Sequence, residues 1–265
     1  MKSVFGDNDR YIDLLFRLLY KDNILLTEWE NSVVSMAFLL PAYVLIDKVK
    51  VPITYLYACA TDPHFRGKGF MRKIIEKAYC DSSRNKQAGL FLLPATDSLY
   101  DFYAESGFRN FFYYQEKKIK RPGTFNAGFS PKPVIKKLTG REYYMYRSSF
   151  LKENYSIHYP QKHFELMQYD YENGNDGFYR VGKEDDPEGL FFMNRQDSVL
   201  ELKELLIREN KITETALTDL LFSEFDVSDL RIVTPGDKKR SAMIRLNKDY
   251  EYLYGKKGYF NFPLD

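Results

Sequence analysis

The segment from Ile53 to Met71, ITYLYACATDPHFRGKGFM, constrains the chain more than any other. Ile53 to Thr61 is rich in β-branched and aromatic residues and is stopped by Asp62-Pro63, which reads as a strand and its end. Past Gly67 and Gly69, the apolar residues Met71, Ile74, Ile75 and Ala78 recur at helical spacing and predict a helix over 69–83. A strand end therefore meets a helix start across a glycine-rich turn. There the first helical N–H groups have no intrahelical acceptor, and the helix dipole adds partial positive charge. Phosphate oxygens are natural partners for such a turn. Glycines at 67 and 69 let the backbone approach a diphosphate, while Arg66 and Lys68 bring positive charge. Taken alone, the same turn also suits an ordinary strand-to-helix connection.

The flanking sequence gives the segment a setting. Tyr11, Ile12, Leu14, Leu15, Leu18 and Leu19 recur at three- and four-residue intervals and predict a helix over 9–21. Residues 24–46 alternate around the polar break Glu28-Trp29-Glu30-Asn31, as two antiparallel strands joined by a tight turn would. Residues 89–93 read as a short apolar strand, 97–106 as a helix and 108–116 as a strand. This order of elements describes an α+β fold in which one sheet carries helices on its faces. Between 121 and 140 the texture changes to Pro122, Gly123, Gly128, Pro131, Pro133 and Gly140, which marks a boundary. The division is thus 1–120, a linker at 121–141, and 142–265. Beyond it, 142–152, 161–172 and 213–225 read as helices, and 177–181, 189–193, 199–206, 230–233, 242–246 and 259–262 as strands. The order VLELKELL, TETALTDLLFSEF, LRIVTP echoes the order over 53–93, a degenerate internal repeat.

Two nucleotide loops fail against the turn. A P-loop needs Ser or Thr after its lysine, where Gly69 stands, and a dinucleotide fingerprint needs a third glycine where Arg72 stands. The segment instead resembles the pyrophosphate loop Arg/Gln-x-x-Gly-x-Gly/Ala of the GCN5-related N-acetyltransferase (GNAT) superfamily from Arg66 through Gly69 to Met71, with Met71 in place of the final small residue. A second hallmark of that superfamily, an aromatic-Tyr-x-x-x-Gly-Phe helix end, is similar to Phe102-Tyr103-Ala104-Glu105-Ser106-Gly107-Phe108. Within it the arrangement looks most like the enhanced-intracellular-survival branch, where a catalytic domain precedes a second GNAT-like domain without the phosphate loop. The resemblance implies an acyl-CoA N-acyltransferase fold: a central mixed, mostly antiparallel sheet flanked by helices, then a smaller degenerate GNAT-like domain. It implies acetyl-CoA as cosubstrate, held by Arg66, Gly67, Lys68, Gly69, Phe70 and Met71, and by backbone groups of Cys59, Ala60 and Thr61 along its pantetheine arm. Tyr103 would protonate the leaving thiolate. The base in relatives of the branch is the terminal carboxylate, here Asp265. The expected activity is direct acetyl transfer to a primary amine. The alternatives are a CoA-binding module without catalysis and a transferase of longer acyl or aminoacyl groups.

Composition narrows the partners. Lys plus Arg total 39 against Asp plus Glu 37, too balanced for a surface built to neutralise nucleic-acid phosphates. No apolar run reaches the roughly 18 residues of a membrane span, and no cleavable leader is legible at the N-terminus. Cys59 and Cys80 suggest neither a disulfide framework nor a zinc site, so a reducing cytoplasm is expected. His64, His158 and His163 show no metal-ligand spacing and read as surface or turn residues; no metal is expected. The resemblance implies a small-molecule or peptide amine as partner, and neither nucleic acid nor a membrane is expected. No motif sets the acceptor or the oligomeric state.

Overall fold

A computed structural model describes residues 6, 9–18, 23–123, 133–170 and 176–261. Its first sheet is built by two tight turns. Glu30 (φ 48°) and Asn31 (φ 62°) join β1 (Ile24–Trp29) to β2 (Ser32–Ile46), and Asp47 (φ 48°) and Lys48 (φ 69°) join β2 to β3 (Val49–Thr61). Paired left-handed residues match the right-handed twist of the flanking strands, so both turns yield antiparallel hairpins. Helix α1 (Asp9–Leu18) precedes them and buries Leu15. After β3 the chain passes through α2 (Phe70–Arg84) into β4 (Gly89–Leu92), which lies parallel to β3. Helix α2 buries Ile74, Ile75 and Ala78 of the predicted face together with Phe70, while Met71 is half-buried. Next come α3 (Asp97–Glu105) and β5 (Arg109–Asn110).

The described residues fall into two compact units, one within 1–113, 153–163 and 240–260, the other within 114–152, 164–239 and at 261. The units therefore interleave along the chain, whereas the sequence division at 121–141 runs through it once. Strand order in the first sheet shows how. It reads β1-β2-β3-β4-β14-β5, where β14 (Met243–Leu246) arrives from near the end of the chain, and β8 (Ile157–His158) pairs with β2 at Tyr43 and Val44. The stretch 108–116, read as one strand, divides between β5 and β6 (Tyr113–Lys120) of the second sheet, with Phe111 and Phe112 buried at the break. Periodicity reports that a residue is extended and half-buried, not which strand it pairs with.

The second sheet has the order β13-β6-β12-β11-β10-β9-β7, with β7 (Ile135–Leu138), β9 (Gly177–Gly182), β10 (Pro187–Gln196), β11 (Val199–Ile207), β12 (Asp229–Pro235) and β13 (Lys239–Arg240). Ile135–Leu138 falls inside the stretch taken from sequence as a linker. Its pairing with β9 buries Leu138, and a four-residue strand with two lysines carries too little periodicity to be seen. Helices α4 (Gly140–Phe150), α5 (Gln161–Asp170) and α6 (Glu214–Phe225) complete the described α-helices, and a 3-10 helix spans Lys248–Leu253. The repeat read from the sequence has a structural counterpart: β11, α6 and β12 form a second strand-helix-strand crossover with parallel strands. Both sheets are thus mixed and mostly antiparallel, an α+β architecture.

In the second unit, Glu204 on β11 accepts hydrogen bonds from Arg147 Nε (2.8 Å) and Nη2 (2.9 Å) and from Tyr143 Oη (2.8 Å) on α4. Both charged side chains are nearly sealed from solvent, at 3% and 2% exposure. Removing one partner of such a pair leaves a buried uncompensated charge. Arg147→Met should accordingly destabilise the protein by about 3–5 kcal/mol, read as a drop in the urea midpoint.

His158 and His163 correct the expectation of surface histidines, since both are buried. Burial, then the nearby Lys162, hold the His163 imidazole down to about 3 from its ordinary 6.5. The folded state leaves this ring neutral at pH values where the unfolded chain protonates it. Its contribution is intact above pH 6.5 and declines as pH falls, by about 1.4 kcal/mol per unit until the folded value is reached. From pH 7 to pH 5 that amounts to about 2 kcal/mol. Urea titrations at the two pH values should show a smaller difference for His163→Leu than for the wild type.

Candidate functional site

Strand β3 and its two neighbours shape the site. On one edge β3 is paired with β2 through Thr61, but its register jumps from Phe38↔Tyr57 to Met36↔Ala60, a bulge centred on Ala58 at φ 49°. A bulge bends its strand and re-aims the residues beyond it. On the other edge β4 pairs only at Thr54↔Leu90 and Tyr55↔Phe91. Among the described residues, Leu56 to Thr61 have no strand partner on that side. Cys59, Ala60 and Thr61 therefore lie on a stretch of β3 that has no strand partner on its β4 side.

The turn that follows is held by local hydrogen bonds. The Asp62 carboxylate accepts from the His64 backbone N–H at 2.9 Å, which holds its pKa below the usual carboxylate value, and the His64 ring Nδ1 lies 3.1 Å away. Pro63–Phe65 form a short 3-10 turn. Arg66 Nε donates to the Thr61 carbonyl at 3.3 Å. Gly67 (φ 75°) and Gly69 (φ 79°) adopt left-handed conformations, and a Cβ at either would meet nothing within 4 Å. Glycine is thus required here by backbone conformation, and the outer face of the loop stays uncovered. Gly69 is the N-cap of α2, so no side-chain oxygen closes the helix, and its first turn holds no acid. An N-terminus of this kind carries about half a positive charge and free N–H donors.

The corresponding helix of the second unit differs at this point. The Thr213 hydroxyl accepts from the Ala216 N–H at 3.2 Å, Glu214 stands in the first turn, and Lys117 Nζ pairs with Glu214 at 2.6 Å. That helix end is closed by its own side chains, whereas α2 is open.

Tyr103 sits on α3, 6% exposed, in a cluster with Leu56, Ile75, Leu92 and Phe108 against which Cys59 and Met71 pack. The end of α3 explains why Gly and Phe follow the tyrosine at this spacing. Gly107 (φ 84°) donates its N–H to Ala104 O at 3.0 Å, and Phe108 donates to Tyr103 O at 3.1 Å. This is a Schellman closure, completed by the edge-on contact of the Phe108 and Tyr103 rings at 5.9 Å. The Tyr103 hydroxyl is hydrogen-bonded to the Cys59 thiol. Burial pushes the thiol up to about 12 and the phenol well above its ordinary 10. Both groups keep their protons at neutral pH, so Cys59 is a packing residue and no thiolate nucleophile, while Tyr103 is a retained O–H donor.

Cys59, Met71 and Tyr103 are brought together by the structure, and Thr61 is joined to Arg66. Arg66, Gly67, Lys68 and Gly69 present an exposed loop, and Phe70 turns inward. Asp265 lies outside the described residues. Among the described residues no group of three or more His, Cys, Asp or Glu side chains is arranged to hold a metal ion, and no helix is long and apolar enough to cross a membrane. Sequence reasoning missed the Ala58 bulge, for which an alanine in a strand gives no signal. It also missed Trp29, whose ring lies 6.0 Å from that of Phe70; an isolated tryptophan beside a hairpin tip was the available clue.

Residues 1–111 match the family model of the acetyltransferase (GNAT) domain. Among solved structures, a probable N-acyltransferase from Enterococcus faecalis is similar at a TM-score of 0.72 and 16% identity, over 92% of this chain and 67% of that one. A GCN5-related N-acetyltransferase from Anabaena variabilis is similar at 0.66 and 15% identity, over 91% and 66%. Eis1 from Mycobacterium abscessus is similar at 0.63 and 13% identity, over 95% and 74%. The chain spans about two thirds of the length of the first two. No curated protein matches it in sequence. Sequence identities this low speak for the fold alone, which extends through both sheets. The family model matches the segment that carries the open helix end and Tyr103, so residues 1–111 resemble a GNAT acetyltransferase domain, in a chain that has the GNAT acyltransferase fold.

Proposed function

We propose that the protein is an acetyl-CoA-dependent N-acetyltransferase that moves the acetyl group directly to a primary amine. The observation that carries this reading is the uncapped N-terminus of α2 placed immediately after the unpartnered edge of β3. A diphosphate fits the first feature, with Arg66 and Lys68 beside it, and an extended amide-bearing arm fits the second, as an added strand would. The exposed glycine loop leaves room for both. The coenzyme supplies the activated thioester. Tyr103 holds a proton at its hydroxyl beside the inner end of that edge, where the departing sulfur develops charge, and the buried cluster around it excludes water. The acceptor amine must arrive neutral.

Calorimetric titration with acetyl-CoA tests the binding half. Each charge-assisted hydrogen bond is worth about 1.5–3 kcal/mol, so Arg66→Ala/Lys68→Ala should weaken binding by tenfold or more. A wild-type protein that binds neither acetyl-CoA nor free coenzyme A would sink the reading. The catalytic half is read by thiol release over an amine panel. Tyr103→Phe should keep acetyl-CoA affinity near that of the wild type while lowering turnover by about 10²–10⁴.

A further inference from the structure

Beside the loop stands an aromatic cluster of which the proposed reaction uses only the neighbouring Lys68. Trp29, the one tryptophan of the chain, ends β1 with half its surface exposed (50%). Its ring lies 6.0 Å from that of Phe70, the first residue of α2, at 56°. Phe70 in turn meets Phe65 edge-on at 6.2 Å. Two ammonium groups stand over these rings, Lys68 Nζ at 4.8 Å from the centre of Phe65 and Lys73 Nζ at 5.6 Å from the centre of Phe70. Among the described residues neither lysine has a carboxylate partner, whereas Arg72 between them is paired with Glu105 at 2.9 Å.

The position of Trp29 relative to the loop is set by the sheet. Trp29 is opposite Ser32 across the Glu30-Asn31 turn, and the same hairpin is tied to the start of the loop where Asp62 donates its N–H to Val34 O at 2.9 Å. The Ser35 and Thr61 hydroxyls, 2.9 Å apart, add a second tie. A large ring held half-exposed against the first residue of an open helix end offers a π-face to a flat, apolar group attached just beyond a bound diphosphate. A purine is such a group, and base stacking on an aromatic side chain tolerates any base. The two lysines suit a further phosphate on the intervening ribose.

We infer that Trp29 is the stacking surface for the purine of the acyl donor, with Lys68 and Lys73 facing its ribose phosphate. The protein then takes its acyl group from a nucleotide-bearing thioester rather than from phosphopantetheine on a carrier protein. This inference rests on the donor site proposed above.

The test titrates coenzyme A, dephospho-coenzyme A lacking the ribose phosphate, and free phosphopantetheine into the wild type and variants. Trp29→Ala should weaken coenzyme A by roughly 5- to 100-fold and leave phosphopantetheine unchanged. Trp29→Phe, which preserves a stacking ring and the contact with Phe70, should recover most of the loss. Lys73→Ala should weaken coenzyme A more than its dephospho form. In the wild type, emission from the single tryptophan should change with coenzyme A and not with phosphopantetheine. Equal affinity of Trp29→Ala and wild type for coenzyme A would overturn the inference. So would an equal loss for both ligands, which would make Trp29 a support for Phe70 only. Either result leaves the donor site itself standing, whereas a wild type that binds none of the three ligands removes both.

Discussion

The parallel contact between β3 and β4 lasts for two residue pairs, and the organisation of the first unit depends on its brevity. Longer pairing would satisfy the edge of β3 internally and close the space beside Cys59. The bulge at Ala58 follows three residues after the last pair with β4 and interrupts the register with β2 instead. Where pairing stops, Leu56, Leu92, Tyr103 and Phe108 pack in one buried cluster with Ile75 and Ala78 of α2. On that side the backbone hydrogen-bonding groups of β3 beyond Tyr55 are not consumed by the sheet.

The two crossovers make a comparison within one chain. Strands β11 and β12 pair in parallel over Val199 to Leu202, after which β11 runs on to Ile207, so here too the parallel pairing ends before the strand does. Its chemistry has been turned inward. Thr213 caps α6, Glu214 opposes an anion there, and Glu204 on β11 is neutralised by Arg147 and Tyr143. The same scaffold is anion-ready in one copy and self-satisfied in the other, and the difference lies in which groups complete the helix end.

Tyr103 shows how one residue can serve the fold and the proposed reaction together. Its carbonyl accepts the hydrogen bond that ends α3, its ring packs on Phe108, and its hydroxyl meets Cys59 on the bulged strand. Burial keeps the phenol protonated, because a phenolate there would lose its hydration. The same burial keeps Cys59 neutral, which fits a packing residue better than a nucleophile.

The helix at 70–84, the glycine turn before it and the helix ending before Gly107 were legible from residues alone, because each is a local conformational demand: left-handed φ at Gly67, Gly69 and Gly107, and 3.6-residue periodicity behind them, whereas the role of Tyr103 came from the resemblance. The repeat over 199–235 was legible for the same reason. Strand partners were not. That β14 from residues 243–246 pairs with β4, that β5 and β6 divide between two sheets, and that the short strand 135–138 exists at all are decided by non-local pairing, which leaves little trace in a short window. The buried states of His158 and His163 were hidden likewise, since burial belongs to neighbours distant in sequence. By itself the sequence determined where a glycine-led helix end without a side-chain cap would form. Only the tertiary structure decided that this end opens onto an unpaired strand edge, that Cys59 meets Tyr103, and that Trp29 stands beside the loop, because each requires chain segments brought together by packing and sheet register rather than by local conformation.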